Sequence, residues 1–248
     1  MLNASPRTHA FLELMRFNKP VGTLLLLWPT LWALWIAADG FPSIAVFIIF
    51  VFGVIVMRAA GCVINDYADR KVDGGVTRTR NRPLVDGRID PQEALILFGG
   101  LCFSAFFLVL MTNRLTIALS FGGVAIAIAT KGQVVLWTVA FDTFYAMVDR
   151  EDDLKVGIKS TAILFGDLDL FLIGVLQALT LLALVVTGDA FKLGMIYFGG
   201  VLAVGLLFIY QQIIARHRQP EACFKAFRNN QWVGVVLFAA IVVDRFSA

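Results

Sequence analysis

Three carboxylates, those of Asp66, Asp69 and Asp73, come directly after a long apolar segment and beside Asn65. If this stretch is helical, the three side chains are spaced at i, i+3 and i+7 and lie on one face. Like charges on one face repel each other unless a cation bridges them. Carboxylate oxygens suit hard cations such as Mg²⁺, which keeps water ligands and recruits substrate phosphates. The spacing therefore predicts a magnesium site that serves a phosphorylated substrate.

A second acidic cluster, Asp149 to Asp153, also follows an apolar run. Two such clusters predict a membrane enzyme that handles a polyphosphate bound to Mg²⁺. Asp142 lies seven residues before Asp149 and shares its face if the segment is helical. A carboxylate inside an apolar segment is costly and usually functional, although a polar contact between helices is the alternative explanation.

The elements that must position these carboxylates are membrane helices. Of the 248 residues, 59% are hydrophobic and only 16% are charged, and the mean hydropathy is +0.80. A soluble domain has about 25% charged residues, so we expect an integral membrane protein. Residues 1–248 are expected to form a single domain. Apolar runs of membrane-spanning length occur near 21–38, 43–63, 94–112, 168–187, 191–214 and 231–246.

The region 115–148 breaks this pattern. Its two apolar runs, 115–130 and 134–148, are both short for a full crossing and are separated by Lys131-Gly132-Gln133. The distribution of Lys and Arg places residues 113–114, before the region, on the outer side of the membrane and residues 149–159, after it, on the cytoplasmic side. The region must therefore cross the membrane an odd number of times. Two short helices give an even number. Either one run is re-entrant or interfacial, or the second acidic cluster faces the opposite side.

Lys and Arg residues are concentrated in four parts of the chain. They lie before Pro20, from Arg70 to Arg88, from Arg150 to Lys159 and from Arg216 to Arg228. By the positive-inside rule these parts are cytoplasmic, and both acidic clusters go with them. The first apolar run begins only after Pro20 and continues as a span, without a cleavable signal. This pattern favours the inner membrane of a bacterium.

The motifs and their flanks resemble the UbiA superfamily of membrane prenyltransferases, in the branch that prenylates 4-hydroxybenzoate. The first motif is Asn-Asp-x-x-Asp-x-x-x-Asp from Asn65 to Asp73, and the second is Asp-x-x-x-Asp from Asp149 to Asp153. The similar flanks are Phe17–Gly22, Trp28–Thr30, Phe141–Val148, Gly157–Thr161 and Cys223–Phe227.

The resemblance implies an all-α fold, a polytopic transmembrane helix bundle with about seven to eight membrane segments around a central cavity. It implies transfer of a polyprenyl group from polyprenyl diphosphate to the aromatic ring of 4-hydroxybenzoate, with Mg²⁺ as cofactor, in ubiquinone biosynthesis. The expected partners are these two substrates and the lipid bilayer. No nucleic acid and no protein partner are expected.

The resemblance, together with the chemistry and spacing of the residues, assigns roles to individual positions. Asp66, Asp69, Asp149 and Asp153 are the expected catalytic residues, and together with Asp73 they are the expected Mg²⁺ ligands. The expected substrate-binding residues are Asn65, Arg58, Arg82, Asp142 and Lys155. Asp149 is also the candidate base that takes the ring proton.

Two of the basic residues have an alternative explanation. Arg58 lies inside an apolar span and needs a partner, which is either a nearby aspartate or the carboxylate of the aromatic substrate. Lys155 either meets the diphosphate or is a solvated cytoplasmic charge.

One departure from the family pattern leaves the activity open. Family members carry a Tyr-Pro-x-x-Lys-Arg loop and a further helix between the two motifs, whereas residues 127–130 here run through Lys131 directly into the helix of the second motif. Three hypotheses follow: an active prenyltransferase, a variant impaired by an internal deletion near 130–134, and a cation or proton transporter. The transporter hypothesis predicts acids near the middle of the spans, whereas nearly all of them lie at span ends.

Overall fold

The computed structural model describes residues 5–71, 73–75, 79–113 and 136–247. Every regular element in these ranges is helical. Six of the described segments are long and apolar enough to cross a membrane. The predicted all-α, polytopic membrane fold is therefore confirmed.

The helices of the described ranges differ widely in length. Within the described ranges they are α1 (Pro6–Leu14), α2 (Val21–Ala38), α3 (Ile44–Asp69), α4 (Pro91–Leu110), α5 (Leu136–Val156), α6 (Thr161–Phe165), α7 (Asp169–Ala190), α8 (Met195–Ala215) and α9 (Pro220–Ser247). Short 3₁₀ turns occupy Asp73–Gly75 and Gly166–Leu168. The six candidate spans are α2, α3, α4, α6 continued by α7, α8 and α9.

The helices divide into two compact units. The first unit contains residues 1–27 and 44–132, and in it α3 packs against α4 and α1. Its buried core consists of Ala10, Leu14, Val63, Leu84, Ile89 and Ala94. The C-terminal end of α3, which carries the first acidic motif, is therefore supported by α1 and by the loop that leads to α4.

The second unit contains residues 28–43 and 133–248. In it α9 packs against α8 and α5, and α7 packs against α5 and α8. Its core is formed by Ala140, Phe144, Met147, Ala162, Ile173, Ala215, Cys223 and Ala226. The helix of the second acidic motif, α5, is thus held by α7 and α9.

Buried amides connect the long helices of the second unit. Gln177 donates to Gln211 at 2.9 Å and accepts from Gln212 at 3.0 Å, while Gln211 donates to Asn229 at 3.0 Å. Amides inside a membrane need partners, because lipid supplies none. This network satisfies the polar groups of α7, α8 and α9 within the unit.

Several element boundaries differ from the sequence prediction. The span expected at 43–63 continues as a helix to Asp69, and the last span begins at Pro220 rather than near 231. The apolar run 134–148 is part of α5, which continues through the acidic cluster and has 21 residues. Among the described helices α5 is not one of the six candidate spans, in line with the expectation that this run is short for a crossing. The run 115–130 and the Lys131-Gly132-Gln133 junction lie outside the described residues.

We expect Gly234→Ala to destabilise the second unit. A β-carbon at Gly234 on α9 would collide with the indole ring of Trp28, and the neighbouring Trp32 indole donates to the Gly234 carbonyl at 3.2 Å. Overpacking of this kind costs about 1 to 3 kcal/mol. Thermal unfolding in detergent should show a lower midpoint for Gly234→Ala. Gly199→Ala is the control because a β-carbon there meets nothing within 4 Å, and equal midpoints for the two variants would contradict the packing argument.

Candidate active site

The first motif occupies the end of α3 and the 3₁₀ turn that follows it. Asp66 and Asp69 lie on the last turn of α3, but the helix ends at Asp69 and Asp73 lies in the separate turn Asp73–Gly75. The expectation that all three carboxylates share one helical face is therefore wrong for Asp73. The chain changes direction after Asp69, and Asp73 approaches Asp66 through a shared partner instead of through helical spacing.

The shared partner is Arg82. Its Nη1 lies 2.9 Å from Asp66 Oδ1 and 2.5 Å from Asp73 Oδ2. Both aspartates are buried, at 3% and 5% exposure. Two buried like charges this close repel each other, and a guanidinium between them removes that repulsion. Arg82, predicted from sequence as a substrate-binding residue, thus contacts two carboxylates of the first motif directly.

A loop of residues 79–90 holds Arg82 in place. Thr79 donates to the backbone carbonyl of Asp73 at 2.8 Å, and the Arg82 amide donates to the Thr79 carbonyl at 3.0 Å. Further along the loop, Arg88 donates to Glu13 of α1 at 2.7 Å. Hydrogen bonds from Arg88, first of all to Glu13, raise the pKa of its guanidinium. The loop is therefore tied both to the motif and to α1.

Arg16 is a site residue that the sequence analysis missed. Its Nη2 donates to both carboxylate oxygens of Asp66, at 2.9 and 3.1 Å. Arg16 follows α1 and adopts a left-handed backbone with φ of 62°, which is uncommon for a residue with a side chain. The only sequence signal was its position next to the flank Phe17–Gly22, fifty residues from Asp66.

Two expected site residues of the first unit differ from Asp66 in their surroundings. Asn65 and Asp69 are exposed, and Asp69 forms no ion pair within the described ranges. Among the described residues, Asp66 and Asp73 thus have arginine partners, whereas Asp69 has an exposed side chain.

Arg58 is half-buried in α3 and packs against Gly22 of α2. A β-carbon at Gly22 would come within 2.5 Å of Arg58 Nη2, so only glycine leaves room for the guanidinium. No described carboxylate lies within ion-pair distance of Arg58. Of the two partners considered for Arg58, the nearby aspartate is therefore not observed in the described part of the chain.

The second motif lies on α5 in the other unit. Asp149 and Asp153 occupy its C-terminal half, and Asp153 is buried at 8% exposure. The segment is helical from Leu136, so Asp142 shares a face with Asp149 as predicted, and its side chain is exposed. Lys155 is 70% exposed and pairs with Asp152 at 3.1 Å.

The donor chemistry of the first motif suits a hard cation. Its side-chain donors are the carboxylates of Asp66, Asp69 and Asp73 and the amide of Asn65, and all of these bind through oxygen. Among the described residues no three acidic, His or Cys side chains converge on one point. Mg²⁺ usually takes only one or two carboxylates and completes its shell with water and substrate phosphates. The residues therefore fit an open magnesium site, not a closed protein cage.

A comparison with known families matches most of the chain. The model of the UbiA prenyltransferase family matches residues 26–130 and 132–241. The chain belongs to this family. Its matched range includes both acidic motifs and divides at Lys131, which is the junction where the sequence analysis placed the departure from the family pattern.

One curated relative is similar over nearly its whole length. It is the 4-hydroxybenzoate octaprenyltransferase of Ectopseudomonas mendocina (strain ymp), with 50% identity, and the alignment covers 96% of this UbiA-family chain and 94% of the relative. The aligned length is 279 residues, more than the 248 residues of the whole chain. The relative therefore carries residues that have no counterpart here.

Two solved structures share the fold. A UbiA homologue from Aeropyrum pernix K1 has a TM-score of 0.72 at 20% identity, covering 97% of this chain and 99% of the homologue. A UbiA homologue from Archaeoglobus fulgidus, solved with GPP and Mg²⁺ bound, has a TM-score of 0.64 at 17% identity, covering 94% and 99%. At these identities the likeness establishes the fold alone.

We expect Arg82→Gln to destabilise the first unit. The substitution leaves Asp66 and Asp73 close together without the charge that separates them, and breaking a buried pair costs on the order of 3 kcal/mol. Thermal unfolding of the purified protein in detergent measures the loss. Arg80→Gln is a matched control, because Arg80 is exposed and makes no ion pair with a described residue. If both variants unfold at the wild-type midpoint, the bridge contributes nothing.

Proposed function

We propose that this chain transfers a polyprenyl group from polyprenyl diphosphate to the aromatic ring of 4-hydroxybenzoate, with Mg²⁺, in ubiquinone biosynthesis. The observation that carries the proposal is the 50% identity to a 4-hydroxybenzoate octaprenyltransferase over 96% of the chain. The motif carboxylates support it, since Asp66 and Asp73 are held together at the end of an apolar helix beside the exposed Asp69.

The chemistry follows from the bond that breaks. The allylic C–O bond cleaves, its electron pair leaves with the diphosphate, and a ring carbon of the acceptor forms the new C–C bond. We propose Asp66, Asp69 and Asp73 in one motif and Asp149 and Asp153 in the other as the Mg²⁺ ligands. When bound, Mg²⁺ neutralises the charge that develops on the leaving diphosphate.

The protein side chains bind, orient and accept a proton. We assign Asn65, Arg82 and Lys155 to the substrate diphosphate, and we add Arg16 because it reaches the same carboxylate as Arg82. Asp142 is proposed as a further substrate-binding residue, on the helix face of Asp149. Guanidinium groups are suited to this role because they present several donors in a fixed plane. The ring proton leaves last, and Asp149 is the proposed base.

We assign Arg58 to the carboxylate of the aromatic acceptor. A guanidinium inside a membrane helix needs an anionic or polar partner, and no described carboxylate supplies one. The acceptor carries the missing group. Gly22 supports this assignment because its lack of a side chain leaves space around the guanidinium.

The protein is a multi-pass membrane protein, and we propose the bacterial inner membrane as its location. Lys and Arg flank both motifs, which supports a cytoplasmic position for them under the positive-inside rule. We also propose that residues 1–248 act as one domain, because the family match continues on both sides of Lys131.

The decisive assay combines the purified protein in detergent with Mg²⁺, octaprenyl diphosphate and 4-hydroxybenzoate. We expect a prenylated product whose formation is abolished by EDTA and reduced at least about 100-fold by Asp69→Asn, since the substitution removes a proposed metal ligand. Asp189→Asn is the control. Asp189 is also an aspartate, it lies near the C-terminal end of α7, and its side chain is 85% exposed.

Two outcomes would contradict the proposal. If the wild-type protein forms no product while the Ectopseudomonas mendocina relative is active in the same assay, the shortened region has removed the activity. Equal activities of Asp69→Asn and Asp189→Asn would remove the first motif from the mechanism.

We expect Gly22→Ala to affect the aromatic acceptor selectively. The new methyl group would displace the Arg58 guanidinium, which is flexible and can move without unfolding the helix. Steady-state kinetics should show KM for 4-hydroxybenzoate raised about 10-fold, which corresponds to about 1.4 kcal/mol, with KM for the prenyl diphosphate nearly unchanged. Gly53→Ala on α3 is the control, since a β-carbon there meets nothing within 4 Å. A parallel rise in both KM values would refute the assignment.

A further inference from the structure

One buried carboxylate in the second unit joins three segments of the chain. Asp169, the first residue of α7, is fully buried and accepts a hydrogen bond from the backbone N–H of Leu170 at 2.6 Å. It also pairs with Arg150 of α5 at 3.2 Å and with Arg218, between α8 and α9, at 2.8 Å. Sequence analysis gave Asp169 no role.

The charges around Asp169 are complementary. Arg218 Nε lies 2.9 and 3.1 Å from the two carboxylate oxygens, and Arg218 Nη2 also donates to the Asp167 carbonyl at 2.9 Å. The hydrogen bond with Asp169 raises the pKa of Arg218. A carboxylate at the first turn of a helix is also favoured by the helix dipole. Asp169 is therefore a fixed anchor, held by α7 itself and by Arg218.

The segment that this anchor contacts carries an excess of negative charge. Asp149, Glu151, Asp152 and Asp153 place four carboxylates in the C-terminal half of α5, against two cations, Arg150 and Lys155, of which Lys155 pairs with Asp152. These anions repel each other, and the C-terminal end of a helix disfavours negative charge. A contact from outside the helix therefore helps to hold the last turns of α5.

Arg150 supplies that contact. It is directly beside Asp149 and three residues before Asp153, so it lies within one turn of both motif carboxylates. We infer that Asp169 is a positioning residue, which acts through Arg150 to hold the last turns of α5 and with them the carboxylates of Asp149 and Asp153. The inference rests on the proposed function of these two carboxylates.

The test compares two arginines that share one partner. Arg150→Gln and Arg218→Gln each remove one guanidinium from Asp169, but only Arg150 belongs to the motif helix. We expect Arg150→Gln to increase amide hydrogen exchange in residues 149–156 at least about 5-fold, because the last turns of α5 lose their anchor. Arg218→Gln should change this exchange less than about 2-fold.

Metal dependence gives the second measurement. In Arg150→Gln we expect the Mg²⁺ concentration for half-maximal activity to rise at least about 5-fold, with kcat at saturating Mg²⁺ kept within about 2-fold. Binding of Mn²⁺ in the presence of a non-hydrolysable prenyl diphosphate analogue, followed by electron paramagnetic resonance, should weaken to a similar extent. Arg218→Gln should leave both properties within about 2-fold of the wild type.

Conservative variants protect the test against misfolding. Arg150→Lys keeps the positive charge and should recover part of the protection from exchange and part of the metal affinity. Asp169→Asn should reproduce Arg150→Gln, and the double variant should be no worse than either single variant.

The inference is overturned if Arg150→Gln and Arg218→Gln give the same exchange and the same metal dependence, or if exchange rises without a change in metal affinity. Asp169 would then only stabilise the fold. If the wild-type protein shows no turnover, the proposed function fails, while hydrogen exchange and Mn²⁺ binding still decide the role of Asp169.

Discussion

The first acidic motif depends on one electrostatic constraint: two buried carboxylates can lie side by side only if a cation lies between them. Burial disfavours the charged form, and a neighbouring carboxylate disfavours it further. In the first unit Asp66 and Asp73 meet this constraint through Arg82, with Arg16 as a second partner of Asp66. Arginine suits the role because its planar guanidinium keeps its charge and can serve two carboxylates at once.

The second unit pairs a buried carboxylate with arginine in a different arrangement. There the carboxylate of Asp169 is surrounded by two arginines from different segments. Such buried pairs add little net stability compared with apolar packing, but removing one partner is strongly destabilising. These ion pairs therefore fix the positions of side chains more than they stabilise the fold. Carboxylates at the ends of the motif helices need such fixed positions.

The membrane helices and the two acidic motifs could be predicted from the sequence, because hydropathy and residue spacing are local properties. The end of α3 at Asp69 could not be read from the motif spacing. A continuous helix would have placed Asp73 on the face of Asp66, but such a helix would add another anion at its C-terminal end, where the dipole disfavours it. The turn Asp73–Gly75 places the carboxylate against Arg82 instead.

Long-range partners were also beyond the sequence. Arg16 reaches Asp66 across fifty residues, and neither its type nor its spacing marks it as a site residue. The end of α5 was beyond hydropathy for a related reason: an apolar run ends at the first charge, whereas the helix continues through the acidic cluster to Val156. Its continuation depends on packing against α7 and α9 and on the contact of Arg150 with Asp169, none of which hydropathy records.

The positions of these partners bear on whether the shortened region is compatible with activity. The family match divides at Lys131, and the Ectopseudomonas mendocina relative carries residues that this chain lacks. The arginines that neutralise Asp66, Asp73 and Asp169 all lie outside residues 114–135, namely Arg16, Arg82, Arg150 and Arg218. A deletion at the junction therefore leaves these charge pairs in place. Because the carboxylates of the first motif and the anchor of the second keep their partners, the active prenyltransferase is favoured over the impaired variant on electrostatic grounds.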